Sequence, residues 1–270
     1  MKTYLLIPTL ILLTLMGCST FQNEEDRTKD WSASQFYTEA KDALDNGNYK
    51  TAIELYEKLE GRFPFGKYAT QSQLDVAYAY YKYSEPESAI AAVNRFLRLH
   101  PNSKQAPYAL YLKGLVNFNR SLGFLSRFIP TDTTQRDPGL SRDSFKDFSD
   151  LVRKYPNSEY AKDAHQRLLY LRNNIAKSEV NIAQFYLKKK AYLAAVRRAK
   201  KVIEHYQRTP SVKPALEVMI TAYDKMGLTQ LAEDNRRVLK INETSGNLVK
   251  EIKADSWGNQ LWDFFELDKN

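Results

Sequence analysis

The sequence predicts an all-α protein, a solenoid of about five helical hairpins with an insertion in the third. Three observations carry that prediction. A set of small residues, a large residue and a proline recurs at fixed spacing. Glycine and proline number only ten each in 270 residues, too few for a turn-rich all-β fold. The composition, 43% hydrophobic and 27% charged, is that of a chain able to bury a sizeable core.

Residues 1–17 read as a secretory signal: Lys2 supplies positive charge and Leu5 to Met16 is mainly apolar. That run is shorter than the roughly 20 apolar residues a membrane-spanning helix needs. Leu15-Met16-Gly17-Cys18 resembles the lipobox of bacterial lipoproteins, in which cleavage precedes the cysteine; Met16 is a less usual occupant of its position. Cys18 is the only cysteine, so no disulfide forms within the chain, and its place makes it the lipidation site, with N-acyl and S-diacylglyceryl groups as the covalent lipid. Several acyl chains anchor firmly because each buried methylene contributes about 0.8 kcal/mol. Ser19 follows, where inner-membrane lipoproteins commonly have aspartate. The expected location is therefore the periplasmic face of a Gram-negative outer membrane, with residues 18–30 as a polar tether.

The repeats begin after the tether. Ala40, Ala52, Tyr56 and Pro64 are followed at a period of 37 by Ala77, Ala89, Val93 and Pro101. Small residues let two antiparallel helices approach, the large residue fills the groove between them, and proline stops the second helix. A third unit starts at Gly114 and resumes at Ser144, Phe148 and Pro156, with an insertion at 121–143 that contains the turn signal Arg136-Asp137-Pro138-Gly139. The fourth reads Ala183, Ala195 and Ala199 with its breaker delayed to Pro210; the fifth reads Ile220, Ala232 and Arg236. Asn46-Gly47-Asn48-Tyr49, Ser84-Glu85-Pro86 and Met226-Gly227-Leu228 suit the short turns inside hairpins. This spacing resembles the tetratricopeptide repeat, whose arrays expose an extended surface suited to holding proteins. The expected division is 31–160, amino-terminal repeats bearing a substrate groove, and 161–245, carboxy-terminal repeats for docking. In the tail, 246–270, Trp257, Leu261, Phe264 and Phe265 share one side of a helix; they fold back on the solenoid or dock on a partner.

If the first helix of each hairpin lines the concave face, Tyr37, Leu74, Tyr78, Tyr81, Tyr111, Leu115 and Phe118 face the groove, flanked by Lys41 and Lys82. Such a surface suits an extended or helical peptide with aromatic anchors. The net charge is +8, and residues 176–213 alone hold ten basic and two acidic residues. That run is either a solvated face or the docking patch for an acidic partner. The export signal leaves nucleic acid out as a partner. His100, His165 and His205 lack the spacing of a helical metal site, and neither a phosphate loop nor a nucleophile elbow is present. The chain reads as a non-enzyme without metal or cofactor.

Arg62-Phe63-Pro64-Phe65-Gly66-Lys67-Tyr68, then Gln73-Leu74-Asp75 and Tyr78-Ala79-Tyr80-Tyr81-Lys82, resemble the BamD family of outer-membrane protein assembly factors. Arg136-Asp137-Pro138, Asp147-Phe148 and Leu151-Val152-Arg153-Lys154-Tyr155-Pro156-Asn157-Ser158 carry the same likeness, which runs from the lipobox to about Asn242. The resemblance implies a lipoprotein subunit of the β-barrel assembly machinery. It implies as partners a POTRA-bearing barrel subunit, companion lipoproteins and unfolded β-barrel substrates, and it assigns Arg198, with Arg197 and Lys201 beside it, to POTRA docking. The aromatic tail has no counterpart in that pattern. The alternative function is that of a cell-wall-associated competence lipoprotein.

Overall fold

The computed structural model describes residues 27–122 and 138–249. Cys18, the signal segment, most of the tether and insertion, and the aromatic residues of the tail lie outside the described residues. Among the described residues the structure is entirely helical. The helices are α1 (Ala33–Asp45), α2 (Tyr49–Arg62), α3 (Lys67–Lys82), α4 (Pro86–Leu99), α5 (Ala106–Leu122), α6 (Gly139–Lys154), α7 (Ala161–Lys188), α8 (Tyr192–His205), α9 (Val212–Lys225) and α10 (Thr229–Thr244).

Local chemistry sets the boundaries. The Ser32 hydroxyl accepts from the Gln35 backbone N–H at 3.2 Å and caps α1, while Pro86 opens α4, where its missing N–H costs nothing. Pro64, Pro101 and Pro156 each stand two residues beyond the end of α2, α4 and α6. The residue before each proline leaves the helical region, at φ −129°, −130° and −135° for Phe63, His100 and Tyr155. Gly47 and Gly227 turn the chain inside hairpins at φ +74° and +73°, a conformation an L side chain resists.

Consecutive helices pack as antiparallel pairs, and α1 also touches α3, α3 touches α5, and α7 touches α9. That stacking of first helices is what makes the hairpins a solenoid. The repeat alanines do the close work: Ala40, Ala52, Ala77, Ala89, Ala183, Ala195, Ala199 and Ala232 are all fully buried. One core joins α1 to α5 around Tyr56, Val93 and Phe96. A second joins α5, α6 and α7 around Phe118, Phe148 and Leu171, and a third joins α7, α8 and α9 around Ala176, Val180 and Val202. The 28 residues of α7, about 42 Å long, contribute to both later cores. The amino- and carboxy-terminal hairpins therefore share one continuous helix.

Candidate protein-binding groove and docking cluster

The first helices α1, α3, α5 and α7 stand side by side, and their tyrosines bridge them. The Tyr37 hydroxyl donates to Asp75 Oδ2 at 2.9 Å, linking α1 to α3. Asn119 on α5 donates to the Tyr81 hydroxyl on α3 at 2.5 Å, and Tyr111 on α5 donates to Asp163 Oδ2 on α7 at 2.8 Å. The same Asp163 accepts from Arg167 at 2.5 Å, and the Arg167 guanidinium lies over the Phe118 ring at 5.0 Å. Polar rungs thus hold the stack in register.

Between α3, the start of α5 and the start of α7 lies a groove of about 560 Å³, whose lining includes Gln71, Asp75, Lys104, Gln105, Tyr108, Glu159 and Tyr160. Tyr160 stacks on Tyr111 with ring centroids 5.0 Å apart and an interplanar angle of 25°, and Tyr108 leans on Tyr160 at 5.6 Å. Burial pushes the Asp75 carboxyl above the usual carboxylate range, although hydrogen bonds from Gln71 and Tyr37 work the other way. Burial, reinforced by the Asp75 charge, pushes the Tyr37 hydroxyl well up. Such a wall of aromatic faces and fixed acceptors can seat an extended chain, with rings against apolar side chains and carboxylates toward backbone N–H groups.

Of the residues expected in the groove, Tyr37, Tyr78, Tyr81 and Tyr111 are half-buried against neighbouring rings, and none of them is among the residues that line it. Lys41 sits one turn from Asp45 as its ion-pair partner, and Lys82 lies over the Tyr78 ring at 5.9 Å. Leu74 and Phe118 are corrected: each is only 1% exposed, because the stacking of one hairpin on the next consumes that flank of the first helix. Leu115, at 8%, shares that fate. Sequence reasoning missed the rung partners Asp75 and Asn119. Each stands 38 residues after its tyrosine, one more than the repeat period, and that spacing was the available signal. His100 meets Gln73 at 3.2 Å and packs on Phe96, while His165 and His205 are exposed.

The basic segment is organised around one acid. Glu179, about two-thirds of the way along α7, has no exposed side-chain surface. It accepts from Arg142 on α6 at 2.6 Å, and from Arg198 and Lys201 on α8 at 3.1 and 2.8 Å. Burial pushes the Glu179 carboxyl up, but the hydrogen bonds and charges of Lys201 and Arg198 outweigh it and hold the group below the usual range. Arg198 and Lys201 therefore tie α8 to α7, and their side chains keep 40% and 36% exposure. Arg197 is exposed on the same helix. Three cations on one carboxylate leave a surplus of positive charge facing solvent. No helix among the described residues is long and apolar enough to cross a membrane.

A model of the family described as "Outer membrane lipoprotein" matches residues 29–239. The outer membrane protein assembly factor BamD of Neisseria meningitidis serogroup A is 46% identical over 234 residues, spanning 85% of this chain and 87% of that protein. The BamD of Neisseria gonorrhoeae is likewise 46% identical over 234 residues, with the same coverage. The BamD of Vibrio cholerae is 37% identical over 242 residues, 90% of this chain and 99% of its own.

Proposed function

We propose, from the premise that this chain belongs to the BamD family of outer membrane lipoproteins and acts in outer membrane protein assembly, that it is a non-catalytic scaffold holding two kinds of protein at once. The groove between α3, α5 and the start of α7 receives extended segments of unfolded β-barrel substrates, and the hairpins from α7 onward hold a POTRA-bearing barrel subunit. Companion lipoproteins complete the assembly, and lipid on Cys18 fixes the chain to the periplasmic face of the outer membrane.

The observation that supports this most is the rung-braced row of Tyr37, Tyr81 and Tyr111. Their hydroxyls are committed to Asp75, Asn119 and Asp163, and their rings, half-buried, are held against neighbouring rings. Aromatic faces fixed in advance lose little freedom on binding, which favours recognition of a disordered chain. On the other half, the cation surplus around Glu179 suits an acidic partner surface.

Purification of the tagged lipoprotein from gently solubilised outer membranes tests the reading. The expected result is co-purification of a POTRA-bearing barrel subunit in near-equal amount, lost on disrupting α8 to α10. A lone chain, or cell-wall fragments in place of the barrel subunit, would overturn it.

A further inference from the structure

The last described helix ends in a way that sets it apart from every other second helix. Inside hairpins, α1, α3, α7 and α9 end at Asn46, Tyr83, Lys189 and Met226, with φ between −91° and −77° and ψ near zero. Each is followed by one left-handed residue, Gly47, Ser84, Lys190 or Gly227. The next backbone N–H bonds five residues back in each case: Asn48 to Ala43, Glu85 to Tyr80, Ala191 to Tyr186 and Leu228 to Tyr223. A new helix then returns antiparallel. The second helices α2, α4, α6 and α8 end otherwise, at Phe63, His100, Tyr155 and Tyr206, with φ between −135° and −129°.

Although α10 is the second helix of its pair, it ends as the first helices do. Ser245 has φ −80° and ψ −3°, Gly246 follows at φ +68°, and the Asn247 N–H bonds Asn242 O at 3.1 Å. The backbone is set for a helical return. The surface that a returning segment would meet is apolar, where a terminal repeat ordinarily needs a polar outer face. Leu231, Val238 and Ile241 fall within about 80° of one another around the helix and are 43%, 43% and 58% exposed. The sole fully buried residue of α10 is Ala232.

We propose that residues 250–270 return along α10 and cover this face, closing the solenoid, with Trp257, Leu261, Phe264 and Phe265 as the covering residues. These residues lie outside the described part of the chain, and the argument for them as occupant is length, order and charge. At about 1.5 Å per residue, the 16 residues of α10 span about 24 Å, and the segment that follows is long enough to retrace them. The intervals of four, three and one place Trp257, Leu261, Phe264 and Phe265 within about 100° of one another on a helix, with Trp262 and Leu267 to either side of that stripe. An antiparallel return sets Trp257, Leu261 and Phe265 against Ile241, Val238 and Leu231 in reverse order. Asp263, Glu266 and Asp268 give the segment an acidic end, and α10 offers Lys240 beside Arg236 and Arg237, which themselves pair with Asp224 and Asp234. The inference stands apart from the assembly role, since a chain with any function would need this face covered.

The test uses the full chain with Cys18→Ser, so that introduced thiols are the only ones. Leu261→Cys is combined with Val238→Cys on the apolar face, or with Glu233→Cys about 140° away from it, under mild oxidation. The expected result is an intramolecular disulfide with Val238→Cys and none with Glu233→Cys, together with a fall in Tm of about 4 °C or more when residues 250–270 are deleted. A disulfide-linked dimer would assign the face to a second copy and overturn the proposal. So would the absence of any bond, with the Leu261→Cys thiol labelled as fast as in a free peptide, which would leave the face to a different protein.

Discussion

Glu179→Gln puts the central electrostatic reading at risk. The parent carboxylate is fully buried and accepts from Arg142, Arg198 and Lys201 at 2.6, 3.1 and 2.8 Å. Glutamine keeps the shape, yet its carbonyl oxygen can serve only part of that set and its NH₂ group turns two donors toward donors. Removing one partner of a fully buried ion pair costs about 3–5 kcal/mol. Here the cations keep 36–40% exposure and regain water, so the loss falls to about 2–3 kcal/mol. At about 2–4 °C per kcal/mol, thermal unfolding followed by circular dichroism should show a Tm lower by about 5–10 °C at neutral pH. The pH dependence supplies a second reading. A carboxyl held below its unfolded value contributes stability above the unfolded pKa and loses it as pH falls through the folded one. The gap between parent and variant should therefore be constant near neutrality and close on acidification through the carboxylate range. Equal stability at neutral pH, or a gap that widens with acid, would refute the account of Glu179 as the tie between α6, α7 and α8.

Gly114→Ala would place a Cβ 2.5 Å from Phe148 Cε1, and that ring is fully buried against Phe118 and Tyr111. The expected loss in urea unfolding is about 1–3 kcal/mol, partly recovered in a Phe148→Leu background. Asp75→Asn keeps an acceptor for Tyr37 and removes a carboxyl that burial holds above its usual range. It should lie within about 1 kcal/mol of the parent at neutral pH or exceed it. The parent should gain on the variant as pH falls below the folded value, because a raised acid contributes stability in its protonated form and loses it as pH rises. Arg197→Glu should lower recovery of the POTRA-bearing subunit with Tm unchanged, since Arg197 is exposed. Arg198→Glu should lower both, because Arg198 also bonds Glu179; identical behaviour of the two would remove the distinction drawn between them.

The contrast between Arg197 and Arg198 shows what was legible in the sequence and what was not. Positions whose packing is dictated by backbone approach stand out by residue size, and the period of 37 therefore located Ala40, Ala52, Ala77 and Ala89, all fully buried. Turn chemistry was equally readable at Gly47, Pro86 and Gly227. Where the repeat is loose, so is the packing: Ile220 and Arg236, the weaker members of the fifth unit, are half-buried and exposed. The choice between ring surface and core on one helix was harder. Leu74 and Tyr78 are four residues apart and share a flank to within about 40°, yet one is sealed and the other half-buried. That difference depends on how far the neighbouring hairpin overlaps the flank, which no local pattern encodes. The docking segment posed a different problem, since counting charges from 176 to 213 gave a basic run without revealing that Glu179 lies beneath it. A single acid on the inner side of a helix, surrounded in sequence by ten cations, is where an internal tie should be sought before a docking role is assigned to each base. By that argument the bases of the run do not share one role: Arg198 and Lys201, with Arg142 from α6, are tied to one buried carboxylate, while Lys188, Lys189, Lys190, Arg197 and Arg208 face solvent.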